Sequence, residues 1–487
     1  MRLFRSKFTA FSFIILSLLS VFLIITKGVL FVFGLLLVTL VWALSHRLDI
    51  GWYILVFLSP MMNWFLDFSD YWYVFQDYPQ LLSIHAPVVE FWTVLLICAY
   101  IISLVRDWLH GRDVHLFTPG IGFFTLFVIS ALVSLLNISP SFVSSGVWYL
   151  VRFILLFYVG YIVLGANIIK GKHVLHRSLL MFGLSGFLAM TMGIASLFTG
   201  AWKAVYGFPR VTPFAIGGWM PFGDQHIFLA EVLTTTIPIF VYFWYVQKDV
   251  LKRKWLGILV IVMVCTALAT LSRAAWVTLV AQGFVFVMLL KKYISFDRIW
   301  KTARWFLLLL APLVLYVSYF LLTNSIVQSS NAARWTLTDV SIFMFADHPV
   351  IGNGVGQFVP LLEDIKYFNV EFGAAVDAHG IVQKLLAEQG LIGLLAFALF
   401  VGWIVRRVYG RFQDSRYEEE ARLVAFMGLF LVLSPFIFQL FNTQYYSSRM
   451  WVPIALALAQ SIVYRRKREE DMMELNLKKK KPLSSKI

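Results

Sequence analysis

The stretch DAHGIVQKLLAEQGLIGLLAFALF, residues Asp377–Phe400, begins with polar side chains and ends as a continuous apolar run. A histidine opens it, and glutamine, lysine and glutamate follow before the apolar run begins. A segment of ~20 mostly apolar residues is long enough to cross a bilayer as an α-helix. The stretch therefore predicts a membrane helix with a titratable imidazole, that of His379, at one end.

The composition of the whole chain points to lipid as its main solvent. The 487 residues are 60% hydrophobic and 14% charged, and the mean hydropathy is +0.79. A soluble domain of this length cannot bury so much apolar surface, which excludes an ordinary globular enzyme. Both cysteines fall inside apolar runs and are interpreted as packing residues. We therefore predict an all-α, polytopic integral membrane protein.

Apolar runs of membrane-spanning length recur along the chain and predict about 14 transmembrane helices. The first run follows the basic start MRLFRSKF and lacks a clear small-residue cleavage site, so we interpret it as a retained anchor. The predicted spans are 9–26, 28–45, 50–66, 88–105, 118–136, 147–168, 178–199, 227–246, 255–272, 274–290, 304–323, 385–405, 423–442 and 450–464.

The distribution of basic residues orients these spans. With the N-terminus inside, 32 of the 41 lysines and arginines lie in inner segments and eight lie in outer segments. An excess of this kind marks the cytoplasmic side of a membrane protein. It places both termini inside and His379 outside. It also explains the net charge of +15, because the basic residues orient the chain in the membrane and contact anionic lipid. No nucleic-acid partner is therefore predicted.

One outer connection, residues 324–378, is long and ends just before His379. Its 55 residues are too many for a structureless connection in a compact fold, so we predict a partly helical outer loop. Within it, His348 and Pro349 are expected to end a helix. Gly352–Gly356 (GNGVG) is expected to form a tight turn, because it lacks the strand, helix and lysine of a phosphate loop.

The outer histidines, His85, His226, His348 and His379, include no pair at metal-ligand spacing, so neither a metal nor another cofactor is predicted. Arginine is the more informative residue type. Arg273 lies in ATLSRAAW, where two predicted spans meet with almost no loop. An unpaired guanidinium is costly to bury at this depth. Either the side chain reaches the lipid headgroups, or a carboxylate or an anionic ligand such as a phosphorylated lipid compensates its charge.

Three segments, in this order and spacing, resemble the O-antigen ligase and Wzy-type polymerase superfamily: LSRAAW, HPVIGNGVGQF and AHGIVQKLLAEQGLIG. RVTPF followed by GDQHIFLA looks like the preceding loop and next span of that family. The resemblance covers roughly Ala201–Phe400, and the first 200 residues match only as a generic series of spans. The typical His-Asn pair appears here as His379–Gly380. The overall pattern also resembles the Gram-positive teichuronic-acid synthesis member.

The resemblance implies a GT-C-like fold and a metal-independent, inverting glycosyltransferase of the bacterial cytoplasmic (inner) membrane, with its active site on the outer face. The donor would be a polyprenyl-diphosphate-linked glycan, and the acceptor a hydroxyl of a glycan or lipid. His379 matches the family's essential histidine, and Arg273 matches its functional arginine. Arg210 and Arg334 match further basic residues, so the resemblance assigns all three arginines to the donor diphosphate.

Elementary chemistry agrees with these roles. Arginines bind phosphate oxygens bidentately and stabilise the charge that grows as a glycosidic bond breaks. A histidine with a pKa near ~6.5 suits the orientation or deprotonation of an acceptor hydroxyl. On a helix that starts near Ala378, His379 and Gln383 would share a face.

Three parts follow along the chain: an N-terminal membrane bundle (1–200), an O-antigen ligase-like catalytic membrane region (201–464, including the outer loop 324–378) and a basic cytoplasmic tail (465–487). We interpret the tail as a solvated end. Two other functions stay open. A transporter or flippase of lipid-linked glycans would also need arginines in a cavity, whereas a non-catalytic scaffold of a polysaccharide export complex would not depend on them.

Overall fold

The computed structural model describes residues 32–67, 85–201, 209–290, 325–365, 375–414 and 417–480, together with a few single residues between these ranges. The predicted span 9–26, nearly all of span 304–323 and the end of the basic tail lie outside the described residues.

Within these ranges the regular secondary structure is helical apart from one small antiparallel sheet, in which β1 (Phe65–Asp67) pairs with β2 (His85–Pro87), and an isolated bridge between Ile216 and Trp219. Long apolar runs favour helices in lipid because a helix satisfies all of its own backbone hydrogen bonds. The helices in chain order are α1 Val32–His46, α2 Leu48–Leu58, α3 Val88–Leu109, α4 Ile121–Ser134, α5 Pro140–Ile168, α6 Lys172–Thr199, α7 His226–Val246, α8 Val250–Ala269, α9 Arg273–Leu290, α10 Ser325–Asp347, α11 Phe358–Glu363, α12 Ile381–Gln413, α13 Glu419–Gln439 and α14 Ser448–Lys480.

Among the described residues, six helices are long and apolar enough to cross a membrane: α3, α5, α6, α7, α12 and α13. A bent pair, α1 and α2 at 109°, raises the number to seven, and α4 and α9 are apolar but shorter. The all-α, polytopic membrane fold is therefore confirmed, but the count of about 14 spans is not. The runs 28–45 and 50–66 coincide with the bent pair, and 118–136 and 274–290 with the shorter helices, because apolar composition does not fix where a helix bends or ends.

Close packing and buried hydrogen bonds hold the helices together, since lipid removes most of the hydrophobic driving force between them. Gly183 and Gly186 let α6 approach α7. A Cβ atom on Gly183 would lie 3.3 Å from Phe240, and one on Gly186 would lie 2.2 Å from Thr236. Gln282 of α9 donates 2.7 Å to the Thr234 carbonyl of α7 and also bonds α13. These contacts fix α9, the helix that begins with Arg273.

Helix α12 lies at the centre of the fold and contacts α4, α10, α13 and α14. Phe400 of α12 stacks 5.9 Å from Trp451 of α14 and lies 5.7 Å from Phe124 of α4, measured between ring centroids. Each such aromatic pair contributes ~0.5–1.5 kcal/mol beyond the area that it buries. Because α12 is fixed in this way, it is a rigid support for the residues just before its first turn.

The sidedness assigned by the basic residues makes a direct prediction. Ser141, at the start of α5, and Asp113, after α3, are both exposed and fall on opposite predicted sides. In a protein whose Cys98 and Cys265 are replaced by alanine, an impermeant thiol reagent is expected to label Ser141→Cys in intact cells. Asp113→Cys should react only after the membrane is permeabilised. The reverse pattern would contradict the orientation.

Candidate functional site

The turn between α8 and α9 places Arg273 at the first position of α9. It runs over Thr270–Ser272, so the prediction that two apolar helices meet with almost no loop is confirmed. Leu271 has a φ of 54°, a left-handed conformation that costs about 1–2 kcal/mol for a residue other than glycine. The Ser272 hydroxyl accepts a 3.4 Å hydrogen bond from the Ala275 N–H and so caps α9.

The side chain of Arg273 reaches α10. Its Nη1 donates a 2.5 Å hydrogen bond to Oδ1 of Asn331, and the residue is half-buried. No carboxylate in the described part of the chain forms an ion pair with Arg273. The contact with α10 directs the guanidinium towards the protein, which favours an anionic ligand over lipid headgroups as its counter-charge.

Arg334 lies on α10, three residues after Asn331, and faces the same region. Its Nε atom is buried and has no hydrogen-bond partner among the described residues. Burial, and next to it the charge of Arg273, lower the pKa of Arg334 to about 10. No carboxylate among the described residues forms an ion pair with either arginine. Two neighbouring like charges are unfavourable, so this region is suited to bind an anion.

Arg210 is held against the same α8–α9 turn from the opposite direction. Its Nε and Nη2 atoms donate hydrogen bonds of 3.1 and 2.7 Å to the Thr270 carbonyl, and the Val211 N–H donates to the Ala269 carbonyl. Arg210 is buried at 8% exposure. The structure therefore brings Arg210 and Arg273 to one turn, with Arg334 near Arg273. Arg210 is held by two hydrogen bonds to a backbone carbonyl, whereas Arg273 makes one side-chain hydrogen bond, to Asn331, among the described residues.

Arg449, a fourth arginine on the predicted outer side, has an internal counter-charge. Its Nη1 lies 3.8 Å from Oε2 of Glu231, and both side chains are buried. Its Nη2 donates to Gln444 at 2.9 Å, and the guanidinium lies 4.3 Å from the ring centroid of Phe228. Arg449 thus has a carboxylate partner, whereas no carboxylate in the described part of the chain pairs with Arg273.

His379 lies just before α12, which begins at Ile381 after the N-cap residue Gly380. The prediction of a helix that starts near Ala378 was wrong by a few residues, because the chain is still extended at Gly380. Burial lowers the pKa of His379 to about 4; Arg334 and Arg273 lower it too, and Asp377 acts in the opposite direction. The imidazole is therefore neutral at neutral pH and can accept a proton.

A second histidine, His226, lies at the start of α7 within electrostatic reach of Arg210 and Arg334. It is the histidine of the segment GDQHIFLA. The sequence analysis counted it among the outer histidines and gave it no role. Its place beside two site arginines could have been suspected only from the neighbouring RVTPF segment, which carries Arg210.

Sequence reasoning also missed a buried chain of charges next to His379. Lys384 Nζ lies 2.6 Å from Oδ2 of Asp377 and 3.6 Å from Oε1 of Glu388, which follows it by four residues on α12. The Lys384 and Glu388 side chains are buried, at 4% and 0% exposure. The spacing of four was a visible signal, because residues i and i+4 share a helix face.

The glycine-rich turn after α10 packs against a break in α12. Gly390 has φ 62° and ψ −162°, which interrupts the helix. The N–H groups of Asn353 and Gly354 donate to the Ala387 and Glu388 carbonyls, at 3.0 and 2.9 Å. These two hydrogen bonds satisfy backbone carbonyls that the break leaves without helical partners. The expected tight turn is confirmed, and it fixes the part of α12 that carries Lys384 and Glu388.

The position after His379 leaves little room for the asparagine of the His-Asn pair that the resemblance would place there. A Cβ atom on Gly380 would lie 2.9 Å from the Leu440 carbonyl oxygen and 1.8 Å from Oε1 of Gln383. Gln383 is flexible, but the backbone oxygen is not. The close approach explains the glycine, and the asparagine's role does not carry over to residue 380.

Gly352 offers a test of how strongly the glycine-rich turn packs against the break in α12. It has a φ of +74°, and a Cβ atom there would lie 2.3 Å from the Glu388 carbonyl carbon. We expect Gly352→Ala to lower the apparent melting temperature in detergent well below that of Gly217→Ala, which has a φ of +57° but open space around it. The control shares the left-handed strain of about 1–2 kcal/mol. Equal melting temperatures, measured by gel filtration after heating, would contradict the packing argument.

Among the residues that the structure describes, no group of three or more His, Cys, Asp or Glu side chains could hold a metal ion. The absence of a metal from the reaction stays a prediction.

The chain is thus a polytopic helical membrane protein. Its candidate site combines two arginines for which the described residues supply no carboxylate, a third arginine beside them and a neutral histidine. Residues 258–398 match the family model of O-antigen ligase. The match supports the O-antigen ligase superfamily and a membrane ligase or polymerase of polysaccharide synthesis. It includes Arg273, Arg334 and His379, and Arg210 lies before it. No curated protein matches the chain, and the narrower teichuronic-acid resemblance is not confirmed.

Proposed function

We propose that the protein is a glycosyltransferase that moves a glycan from a polyprenyl-diphosphate carrier to a hydroxyl of an acceptor glycan or lipid. The reaction takes place on the outer face of the bacterial cytoplasmic membrane. One observation supports this most strongly: Arg273 and Arg334 lack a carboxylate in the described residues, and they lie close enough to His379 to lower its pKa. The site therefore offers cationic groups for an anion next to a proton acceptor.

The arginines suit a diphosphate because it carries several negative charges and many acceptor oxygens. A charge-assisted hydrogen bond contributes ~1.5–3 kcal/mol, and a guanidinium offers two parallel N–H groups. Asn331 accepts a hydrogen bond from one Nη1 group of Arg273, and the buried Nε of Arg334 has no partner among the described residues. The other N–H groups of the Arg273 guanidinium can donate to phosphate oxygens, and a bound diphosphate would supply a counter-charge that the described residues do not provide.

The reaction is a single displacement at the anomeric carbon of the donor sugar. The acceptor oxygen forms a new bond to that carbon while its proton passes to His379. The bond between the anomeric carbon and the phosphate oxygen breaks, and its electron pair leaves with the polyprenyl diphosphate. The arginines stabilise that growing charge. Attack from the face opposite the leaving group inverts the configuration, as expected of a GT-C-type enzyme that uses no metal.

The test is transfer by the purified protein. The protein is incubated in lipid nanodiscs with one defined polyprenyl-diphosphate glycan and an acceptor glycan, and the product is identified by mass spectrometry. Transfer that depends on both substrates supports the proposal. Movement of the intact donor across proteoliposomes without product would indicate a transporter. Neither activity, together with unchanged polysaccharide export by arginine variants in cells, would indicate a scaffold.

A further inference from the structure

The buried charges next to His379 are arranged as a chain with Lys384 in the middle. The Lys384 ammonium donates to both carboxylate oxygens of Asp377, at 2.7 and 2.6 Å, and lies 3.6 Å from Glu388. Removing one partner of such a buried pair leaves a charge without compensation, which is strongly unfavourable. A buried chain of ionisable groups that begins with Asp377, two residues before the candidate base, therefore needs a reason beyond packing.

Two tyrosines complete the surroundings of Lys384 and Asp377. The ammonium lies 5.8 Å from the ring centroid of Tyr149 on α5 and 5.4 Å from that of Tyr446. The Tyr446 hydroxyl also donates a 3.4 Å hydrogen bond to Oδ2 of Asp377. The Asp377 carboxylate is thus held from α12 by Lys384 and from the segment before α14 by Tyr446. Its direction is set by these donors, which are part of the rigid core.

We propose that Lys384 is a positioning residue for the transfer reaction: by binding Asp377 it withholds that carboxylate from His379 and fixes the segment that carries the imidazole. This inference rests on the proposed function, and it assigns to Lys384 a role that is separate from donor binding. Among the described residues, the side-chain contacts of Lys384 are with Asp377, Glu388, Tyr149 and Tyr446 and include none of the site arginines. The lysine acts through Asp377.

The charges that face His379 show why the pairing of Lys384 with Asp377 matters. Arg273 on α9 and Arg334 on α10 oppose protonation of the imidazole, and Asp377, on the segment of His379 itself, favours it. Among the described groups that act on His379, Asp377 is the carboxylate, and Lys384 compensates its charge. Without the lysine, Asp377 would be free to bind the imidazole, which would raise the pKa of His379 and turn the ring away from the acceptor hydroxyl.

The first test is Lys384→Met, which keeps the length of the side chain and removes its charge. A carboxylate close to an imidazole raises the pKa of the imidazole by about one unit or more. The acid limb of the pH profile, where kcat/KM falls as the pH is lowered, should therefore move up by about one pH unit. Transfer at neutral pH should fall on the order of tenfold, as for other residues that orient a reactive group. A lower rate with an unchanged acid limb would overturn the proposal, because a merely structural lysine moves only the rate.

Matched variants separate the causes. Adding Asp377→Asn to Lys384→Met should return the acid limb to the wild-type midpoint or below it, because the released carboxylate is gone. Lys172→Met removes another lysine from an ion pair, 2.7 Å from Glu420, and should leave the midpoint unchanged. If Lys384→Met does not accumulate in the membrane, Asp377→Asn decides. It leaves the Lys384 charge uncompensated near His379, so the midpoint must fall. An unchanged midpoint would overturn the proposal, because the pair would then have no effect on the imidazole.

Titration of His379 by NMR keeps this test independent of transfer. Isotope-labelled histidine in the donor-free protein, assigned by the signal lost in His379→Gln, reports the imidazole directly. Absence of transfer by the wild-type protein would refute the proposed function. An NMR midpoint that is the same in wild type and Lys384→Met would refute the role of Lys384, whatever the assay of transfer shows.

Discussion

Replacing Arg273 with alanine is expected to reduce the rate of glycan transfer on the order of 1000-fold, with little change in the amount of protein in the membrane. Removing one donor that faces a developing charge costs ~100- to 1000-fold. Arg273 is only half-buried, and within the described part of the chain its side chain makes one hydrogen bond, to Asn331. Its loss should therefore not disturb the helices. The rate is measured with one defined donor and acceptor.

Arg273→Lys separates two interpretations of this arginine. A lysine keeps the charge but lacks the planar fork that binds two phosphate oxygens, so this variant should also fail, within about tenfold of alanine. Arg112→Ala is the matched control, because Arg112 is exposed and pairs with Asp107 at 3.0 Å on the predicted inner side. Full activity of Arg273→Lys would mean that the residue is only a charge at the membrane surface.

Arg210→Ala and Arg334→Ala should weaken donor binding more gradually, and in different ways. Arg334 has a buried Nε without a partner in the described residues, so its loss should raise KM for the donor. Arg210 donates twice to the Thr270 carbonyl, so its loss should also lower thermal stability by loosening the α8–α9 turn.

The sequence was sufficient to predict features that depend on local pattern. The apolar runs on each side of Arg273 predicted two helices joined without a loop. This was possible because the apolar pattern that marks each helix is local in the sequence. His348 and Pro349 predicted the end of α10, which the structure places at Asp347. Gly352–Gly356 predicted a turn because glycine accepts positive φ.

Other features depend on contacts that no local pattern encodes. Arg210 and Thr270 are 60 residues apart, and only the folded chain brings them together. The break at Gly390 arises because the turn at Asn353 supplies replacement hydrogen bonds, whereas the sequence around Gly390 reads as one uninterrupted span. The pairing of Lys384 with Asp377 requires the chain to fold back before α12, which the prediction of an earlier helix start did not allow.

His379→Ala is expected to lose on the order of 100-fold or more in transfer rate, within the range for a general base, while donor binding survives. His379→Gln distinguishes two roles, because glutamine keeps a hydrogen bond but cannot take a proton. A positioning residue would be partly replaced by glutamine, whereas a base would not. Near-normal transfer by His379→Ala would remove the residue from the mechanism, and near-normal transfer by His379→Gln alone would leave only positioning.

The pH dependence of the wild-type enzyme provides a sharper test of the base. Burial, Arg334 and Arg273 lower the pKa of His379 to about 4 in the donor-free protein, so kcat/KM should fall only as the pH drops through that range. A bound diphosphate compensates the two arginines and removes their repulsion of the imidazolium, so the pKa in the complex should be higher. The acid limb of kcat should therefore lie above that of kcat/KM by about one unit. Coincident limbs would show that the diphosphate does not bind beside His379, and an acid limb retained in full by His379→Gln would show that another group titrates.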